Sequence, residues 1–376
     1  MLKVLYPHTG SLVGGSLVSA LTVAKEAETA RHWNSIFAFP CDGPGPARVR
    51  QANLPVVDYG LHPGLVAWWR VNRRSLRKLL ASPVGMFMFL QARKVIRQYA
   101  PDLIHVNDDA SALVWGLAAK SANIPAVWHI RQERRSGFAD AVRNLVMEQR
   151  VFLSSSAHDR VAKRSKKPTH VIPNGIDVSA ISGPTLDSRV GRSRDFRFLF
   201  LGNIVSRKRP ILAVQAVREM RATGLNVSLR LAGEPSDKTT VRQLQQLIAA
   251  ESDGWCQYLG YCDAPGTLFQ DADALILTST QNGEALPRAA LEAHAHGLPV
   301  LATNCGSVAD IVEDGVTGFV VKEDSPQRLA IQGLRLAQDE HLWSRMSSSA
   351  REKVSRDYSV GRIALEIREV YESLFR

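Results

Sequence analysis

Short apolar runs alternate with helical patterns along almost the whole chain, and the alternation stops once and starts again. The runs before the break include Lys3 to Tyr6, PDLIHVND, PAVWHI and HVIPNGID; those after it include FRFLFLGN, VSLRLAGEP, QYLGYC and DADALILTS. A helix between two strands carries the chain back to the edge where the first strand began, so the second strand runs parallel to it. Parallel sheets are covered on both faces, which is why such runs are apolar throughout. The break, SGPTLDSRVGRSRD, is polar and rich in Gly, Ser and Arg, as a linker between two cores should be. The expected fold is α/β, with two Rossmann-like doubly wound parallel-sheet domains. Length agrees, because 376 residues exceed what one core usually holds. The first domain is expected over 1–177 and the second over 178–358.

Composition narrows the function classes. Apolar residues make up 45% of the chain, no run of 18 or more of them occurs, and MLKVLYPHTG leads straight into a strand-like segment. Neither a membrane span nor a signal peptide is expected, and the location is expected to be cytoplasmic. The four cysteines, Cys41, Cys256, Cys262 and Cys305, form no CxxC pair, which fits a reducing compartment and argues against structural zinc. The net charge of +11 is unevenly placed, with 24 Lys and Arg against 12 Asp and Glu through Asp177 and 23 against 24 after it. A basic first half attracts nucleic acid, anionic lipid headgroups or a phosphate-bearing substrate.

The excess is densest between Gly60 and Ala100, which contain no acid. Trp68 and Trp69 precede a helical pattern in which Arg70, Arg73, Arg74 and Arg77 recur at three- and four-residue intervals, and PVGMFMFLQARKVIRQ repeats the combination. Basic residues sharing a face with aromatic and aliphatic neighbours suit a helix lying on an anionic membrane. An amphipathic core helix with a solvated basic face fits the same pattern.

Glu284 and Glu292 stand eight residues apart around an expected helix start. A helix N-terminus leaves its first N–H groups unpaired and carries about half a positive charge, so it attracts anions such as a diphosphate. Pro287 is expected at the first helical position, where its fixed φ helps and its missing N–H had no helical partner, leaving Leu286 and Arg288 as N–H donors. A loop carboxylate, free N–H groups and a second carboxylate one to two turns into the helix suit a ligand with hydroxyls at both ends and phosphates between. A nucleotide sugar is such a ligand. Two solvated glutamates at a surface helix start have the same spacing.

Loops after the carboxyl ends of parallel strands hold the ligands of doubly wound folds. In HTGSLVGGS, Gly14 and Gly15 let backbone approach a phosphate closely and Ser16 is placed to cap the helix that follows, although a tight turn explains the glycines equally well. Asn107, His129 and Arg131 also follow or end strands, a position that turns them toward a ligand, whereas a lone histidine is more often structural. Arg207, Lys208 and Arg209, between FRFLFLGN and a helix from about Pro210, are placed to form a diphosphate clamp, although three adjacent basic residues are more often just solvated. Asp271 follows a helix and Asp273 enters an apolar strand, so this Asp-x-Asp pair is read as structural and no metal is expected.

Taken in order, Gly14 with Gly15, PDLIHVN, PAVWHI, VIPNGID, LGNIVSRKRP, YLGYCD, DADALILTS, the Glu-x7-Glu pair, GLPVLATNCG and EDGVTGFVV make nearly the whole chain resemble one family. It is that of the retaining, nucleotide-sugar-dependent glycosyltransferases of family four, the group one glycosyl transferases. The resemblance implies GT-B architecture with an interdomain cleft and a last helix, about 359–376, that joins the first domain. It implies that Glu284 contacts the donor sugar, that Glu292 contacts the ribose, and that backbone around Ala285, Leu286 and Pro287 holds the diphosphate together with Lys208. Gly15 and Ser16 match the loop facing the reacting centre, and His129 matches the histidine beside the sugar. Main chain around Tyr261 would read the base. His129, Lys208 and Glu284 are thus the residues expected at the chemistry, with Asn107 and Arg131 on the acceptor side. The pattern departs from the family at Asn203, where an arginine is common, which makes Arg207 the candidate replacement cation. It departs again at Ala285 and Pro287, which stand where glycines are usual.

In this family the anomeric configuration is retained and the leaving diphosphate accepts the acceptor's proton, so no protein nucleophile and no cofactor is needed. The expected reaction moves a sugar from a UDP-, GDP- or other nucleoside diphosphate donor to a glycan, lipid-linked or soluble, in cell-surface polysaccharide or glycolipid synthesis. The resemblance and the basic stretch together imply a peripheral position at the inner face of the cell membrane. The alternative is a non-catalytic nucleotide-sugar or glycan-binding protein of the same fold, suggested by Asn203. Nucleic acid is not an expected partner.

Overall fold

A computed structural model describes residues 1–62, 64–65, 83–131, 138–161, 167–181, 195–251, 253–263, 265–281, 283–322 and 324–376. The expected membrane-facing residues Trp68, Trp69, Arg70, Arg73, Arg74 and Arg77 lie outside the described residues. The chain forms two compact units, Met1–Gly175 with Val360–Arg376, and Ile176–Ser359.

The first unit is built on seven parallel strands, β1 (Leu2–Pro7), β2 (Trp33–Phe39), β3 (Val56–Asp58), β4 (Leu103–Val106), β5 (Ala126–Ile130), β6 (Gln149–Phe152) and β7 (Thr169–Val171), in the order β3-β2-β1-β4-β5-β6-β7. Between them run α1 (Gly15–Thr29), α2 (Pro44–Gln51), α3 (Pro83–Tyr99), α4 (Asp109–Ser121), α5 (Phe138–Val146) and α6 (Ser155–Val161). Successive strand side chains point to opposite faces, and the two cores follow that alternation. Val4, Tyr6, Leu103, Val127 and Val151 pack with α1 and with the last helix, Val360–Glu372. Leu5, Ile104, Ala126, Trp128 and Phe152 pack on the opposite side with α3 and α4. The last helix buries Ile363, Ile367, Val370 and Tyr371 at three- and four-residue spacing. Full burial of such a side chain stabilises by about 1.5–3 kcal/mol, so this stripe holds the helix on the first sheet. At the start of α1 the N-cap is Gly14, without a side-chain hydrogen bond. Ser16 is therefore inside the first turn and does not cap the helix, because Gly15 already takes the helical conformation.

The second unit has six parallel strands, β8 (Phe196–Leu201), β9 (Val227–Ala232), β10 (Cys256–Tyr258), β11 (Ala274–Leu277), β12 (Val300–Thr303) and β13 (Gly318–Val321), in the order β10-β9-β8-β11-β12-β13. Its helices are α7 (Pro210–Arg221), α8 (Lys238–Ala249), α9 (Gly266–Gln270), α10 (Arg288–Ala295), α11 (Val308–Ile311), α12 (Pro326–Gln338) and α13 (Glu340–Asp357). Phe196, Phe198 and Phe200 turn alternate β8 positions into a core shared with α7 and α12. Asp273 fixes the start of β11, its carboxylate accepting from the Arg197 amide at 2.7 Å, and Asp271 pairs with Arg230 at 3.2 Å. In each sheet the strand order reverses beside the first strand, at β1 and β4 in one unit and at β8 and β11 in the other. Those reversals open crevices at the carboxyl ends of the strands.

Candidate functional site

In the second unit the crevice is made by close backbone approach. A Cβ on Gly233 would lie 2.0 Å from the Gly202 carbonyl oxygen, and the Gly233 amide donates to the Gly260 carbonyl at 2.8 Å. Glycines at the ends of β8, β9 and β10 thus let three strands finish side by side. Tyr261 follows the third of them, 53% exposed. Beyond Gly202, Asn203 is exposed, Ile204 is buried and anchors its amide on the Glu234 carbonyl at 2.8 Å, and a 3-10 turn spans Ser206–Lys208.

The three consecutive basic residues Arg207, Lys208 and Arg209 separate. Lys208 passes Gly202, where a Cβ would come within 2.9 Å of its Nζ, and places Nζ 2.6 Å from Glu284 Oε1. Ser279 Oγ donates to the same Oε1 at 2.9 Å. The Lys208 and Glu284 side chains are 16% and 11% exposed, so the pair is largely withdrawn from water. Arg207 donates to the Gly283 carbonyl and so braces the carboxylate loop. Arg209 takes φ +46° ahead of Pro210, and its guanidinium is committed to the Thr278 and Ser279 carbonyls and to Asp324. Arg209 therefore leaves the expected clamp and holds the loop after β11 instead.

Pro287 is the N-cap of α10, with φ −70° and ψ 102°, and the helix begins at Arg288. The expectation that Pro287 is the first helical residue is corrected: its φ suits a helix, but its extended ψ ends the loop. Glu284 accordingly lies wholly outside the helix, while Glu292 lies inside it and meets Arg288 at 2.8 Å. The N-cap Pro287 gives the start of α10 no side-chain hydrogen bond. Leu286 and Pro287 are buried and fix the loop from below, with Ala285 half-buried beside them. The small-residue turn packs against the same loop, the Gly306 amide donating to the Gln281 carbonyl at 2.6 Å. Cys305 is fully buried there, and burial followed by the charge of Glu284 pushes its thiol up to about 12. It is an inert packing residue.

In the first unit the strand ends gather uncharged polar groups around one guanidinium. Arg131 donates to Asn107 Oδ1 at 2.8 Å and to Asn174 Oδ1 at 2.6 Å, and its Nη2 lies 3.3 Å from His129 Nδ1. His129 Nδ1 also lies 3.3 Å from His105 Nε2, and His105 Nδ1 meets the Tyr371 hydroxyl. Burial, then the positive charge of Arg131, then His105 keep the His129 ring well below the usual histidine range. His105 is pushed down to about 3 by burial and Arg131, and His8 to about 4, chiefly by burial. These rings are neutral at ordinary pH. Asp108 is absorbed structurally, accepting from the Ser111 amide and from Thr9 Oγ1.

Three buried polar atoms at these strand ends make no hydrogen bond of good geometry among the described residues: His8 Nε2, Asn107 Nδ2 and His129 Nε2. Leaving such a group unpaired costs about 1–3 kcal/mol, and folded proteins keep few of them. The glycines at the head of α1 are as informative. A Cβ added at Gly14 or Gly15 meets nothing within 4 Å, and neither residue has positive φ. A positive-φ turn therefore does not explain them.

The structure thus brings together Lys208, Glu284 and Arg207 in one unit, and Asn107, His129 and Arg131 in the other. It also reveals Ser279, His105, Asn174 and Tyr371, none of which the motifs singled out, and gives Arg288, expected only as an N–H donor, a side-chain contact with Glu292. Asn174 was present in VIPNGID, but spacing gave no sign that its amide would meet an arginine 43 residues away. Among the described residues no group of three or more His, Cys, Asp or Glu is arranged to hold a metal ion.

Residues 13–180 match the family model described as Glycosyltransferase Family 4, and residues 187–353 match the one described as Glycosyl transferases group 1. The chain is 26% identical over 178 residues to the N-acetyl-alpha-D-glucosaminyl L-malate synthase of Bacillus anthracis, a match covering 47% of this chain and 45% of that relative. It is 22% identical over 284 residues to the lipopolysaccharide 1,2-N-acetylglucosaminetransferase of Salmonella typhimurium, covering 73% of this chain and 74% of that one. Among solved structures, HepE of Anabaena in complex with UDP-glucose superposes with a TM-score of 0.81 at 20% identity, covering 99% of this chain and all of that one. That likeness identifies the fold as GT-B. With one family model on each half of the sequence and two parallel-sheet units of GT-B type, the chain belongs to the group 1 glycosyl transferases of glycosyltransferase family 4.

Proposed function

We propose that the protein is a retaining glycosyltransferase that moves a sugar from a nucleoside diphosphate donor to a glycan acceptor in cell-surface polysaccharide or glycolipid synthesis. The observation that carries this reading is the Lys208–Glu284 pair at 2.6 Å beside the start of α10. A diphosphate oxygen competes with Glu284 for the Lys208 ammonium, and donor-sugar hydroxyls then replace the ammonium on the carboxylate. The α10 N–H groups add their partial positive charge at the same phosphates, while Arg207 keeps the carboxylate loop in place. Glu292, one turn into the helix, accepts from the ribose hydroxyls, and main chain around Tyr261 contacts the base. His129 Nε2 and Asn107 Nδ2 give hydrogen bonds to sugar or acceptor oxygens, and Gly15 and Ser16 leave room at the reacting centre. The leaving diphosphate takes the acceptor's proton, so catalysis consists of positioning and of neutralising charge on the leaving group.

The UDP-glucose complex of HepE and the N-acetylglucosamine chemistry named for both relatives support a UDP-sugar as the first donor to test. Thermal unfolding with UDP, GDP and their sugars is the direct screen, because a ligand at 100 times its Kd adds about 2.7 kcal/mol to the folded state. Absence of any melting shift together with absence of donor turnover would sink the reading. Product anomers resolved by proton NMR decide the stereochemistry, and an inverted product would remove the retaining step alone.

Helix α3 supports a lipid-linked acceptor. It exposes Met86, Phe87 and Leu90 near its start, and Arg93, Lys94 and Arg97 follow along a groove of about 500 Å³ that also includes Leu90. The helix contains no acid. An apolar tip followed by cations suits shallow insertion into an anionic leaflet, where each basic residue contributes about 1 kcal/mol. Among the described residues no helix is long and apolar enough to cross a membrane. Flotation with anionic liposomes is expected at low salt and is expected to be lost in the Arg93→Glu/Lys94→Glu/Arg97→Glu variant. Wild-type protein that stays at the bottom of the gradient would remove the membrane part of the proposal.

A further inference from the structure

We propose that Arg131 fixes His129 as the tautomer with its proton on Nε2, and that a one-way chain of hydrogen bonds, running from Trp33 through Tyr6, Tyr371 and His105, brings a second donor to the bare Nδ1 and holds the ring in place. Tyr371 and His105 are then positioning residues for the histidine that the transfer reading sets beside the sugar. Only the kinetic part of the proposal rests on that reading.

The links are all buried. Trp33 Nε1 donates to the Tyr6 hydroxyl at 3.1 Å, the Tyr6 and Tyr371 hydroxyls lie 3.0 Å apart, Tyr371 meets His105 Nδ1, and His105 Nε2 lies 3.3 Å from His129 Nδ1. Four of the five groups project from one face of the first sheet, and Tyr371 comes from the last helix, 266 residues beyond His105.

The direction of the chain follows from its ends. A guanidinium has no acceptor, so Arg131 Nη2 can only donate to His129 Nδ1, which must be bare. His105 Nε2 faces that bare nitrogen and must therefore carry a proton. In a neutral ring this leaves His105 Nδ1 bare, so the Tyr371 hydroxyl donates to it. The Tyr371 oxygen is then free to accept from Tyr6, and the Tyr6 oxygen accepts from the Trp33 indole, which can only donate. Each step has one consistent assignment, and the result is a proton on His129 Nε2. That atom is buried and has no hydrogen bond of good geometry among the described residues, only the Ile172 backbone placed to favour a proton on the ring. His129 is thus built as an uncharged donor and not as a base. Tyr371 matters because without its proton His105 can reverse, turning a bare Nε2 toward the bare Nδ1 of His129.

Histidine ¹⁵N NMR on the full chain tests the assignment directly. The expected spectrum shows a bare Nδ1 and a protonated Nε2 for both His105 and His129; a proton on His129 Nδ1 overturns the proposal. In Tyr371→Phe, which removes one oxygen, His105 is expected to populate a second tautomer, while Arg131 keeps His129 Nδ1 bare and the His129 signals shift as the ring loses its second donor. The kcat for donor turnover should fall about tenfold, the effect of one lost hydrogen bond in the transition state, while Kd for UDP stays within about twofold. Tyr6→Phe leaves Tyr371 its own proton and is expected to keep the wild-type nitrogen signals. Unchanged signals and unchanged kcat in Tyr371→Phe would overturn the positioning role. If wild-type protein turns over no nucleotide sugar, the transfer reading fails, and the spectrum still decides the tautomer.

Discussion

Glu284 receives Lys208 and Ser279 on the same oxygen, so its charge is held by two neighbours of different strength. Glu284→Gln keeps the shape and removes the charge, and is expected to lower donor turnover at least about 100-fold while UDP still binds. Lys208→Ala is expected to weaken UDP binding by about 10–100-fold, the usual range for a lost hydrogen bond to a charged group. Calorimetry and turnover assays on the two variants separate these effects, and equal losses in both would argue against divided roles. Gly15→Ala should leave stability unchanged or raised by up to about 1 kcal/mol, since a Cβ there meets nothing, and should still slow transfer. Undiminished turnover in that variant would mean that nothing approaches the loop. The positions of the carboxylates, Lys208 and His129 at strand ends or near a helix start were legible in the sequence, but spacing alone fitted solvated or structural side chains equally well, and their proposed roles come from the family resemblance. The Lys208–Glu284 contact, the bracing role of Arg207 and the whole set around Arg131 were not legible, because they depend on side chains that meet across different strands.

The elements were legible to the extent that periodicity decides them. Continuous apolar runs and helical stripes mark strands and helices, and a polar break separates two cores; the order β3-β2-β1-β4-β5-β6-β7 cannot be read this way, since every right-handed crossover looks alike in one dimension. Helix starts were the weak point. Pro287 carries a preference for the first helical position and Ser16 one for the cap, but in both cases the neighbouring loop sets the residue at which the backbone turns helical. Strand ends depend on residues whose importance lies in what they lack. Gly233→Ala would drive a methyl group into the Gly202 carbonyl, and neither backbone can move without breaking the β8–β9 ladder. The expected loss is about 3 kcal/mol or more in a denaturant titration of the second unit. A loss under about 1 kcal/mol would show that the two strand ends separate easily.

At the scale of the whole molecule, acid should weaken both units. Burial lowers His105 and His294 to about 3 and His8 and His296 to about 4, against 6.5 for the free side chain. Below pH 6.5 the unfolded chain takes up protons that the folded chain refuses, so stability falls as pH drops from 6.5 toward 3–4; above 6.5 these residues impose no slope. Each contributes up to about 1.4 kcal/mol per pH unit inside that window. Asp195 and Asp310, whose carboxyls burial raises, oppose the trend only at the acidic end. Melting temperatures measured from pH 7 to pH 4.5 should decline steadily, and a flat profile would mean that the buried rings accept protons in place. The route of the chain matters as much as its charges. Val360–Arg376 belongs to the first unit although all of the second unit precedes it in sequence. During translation the ribosome therefore makes an entire second fold while the first still waits for Ile363, Ile367, Val370 and Tyr371. Through that interval the nascent first unit carries an uncovered apolar layer, and it is a natural client for chaperones until the helix that bears those residues is made.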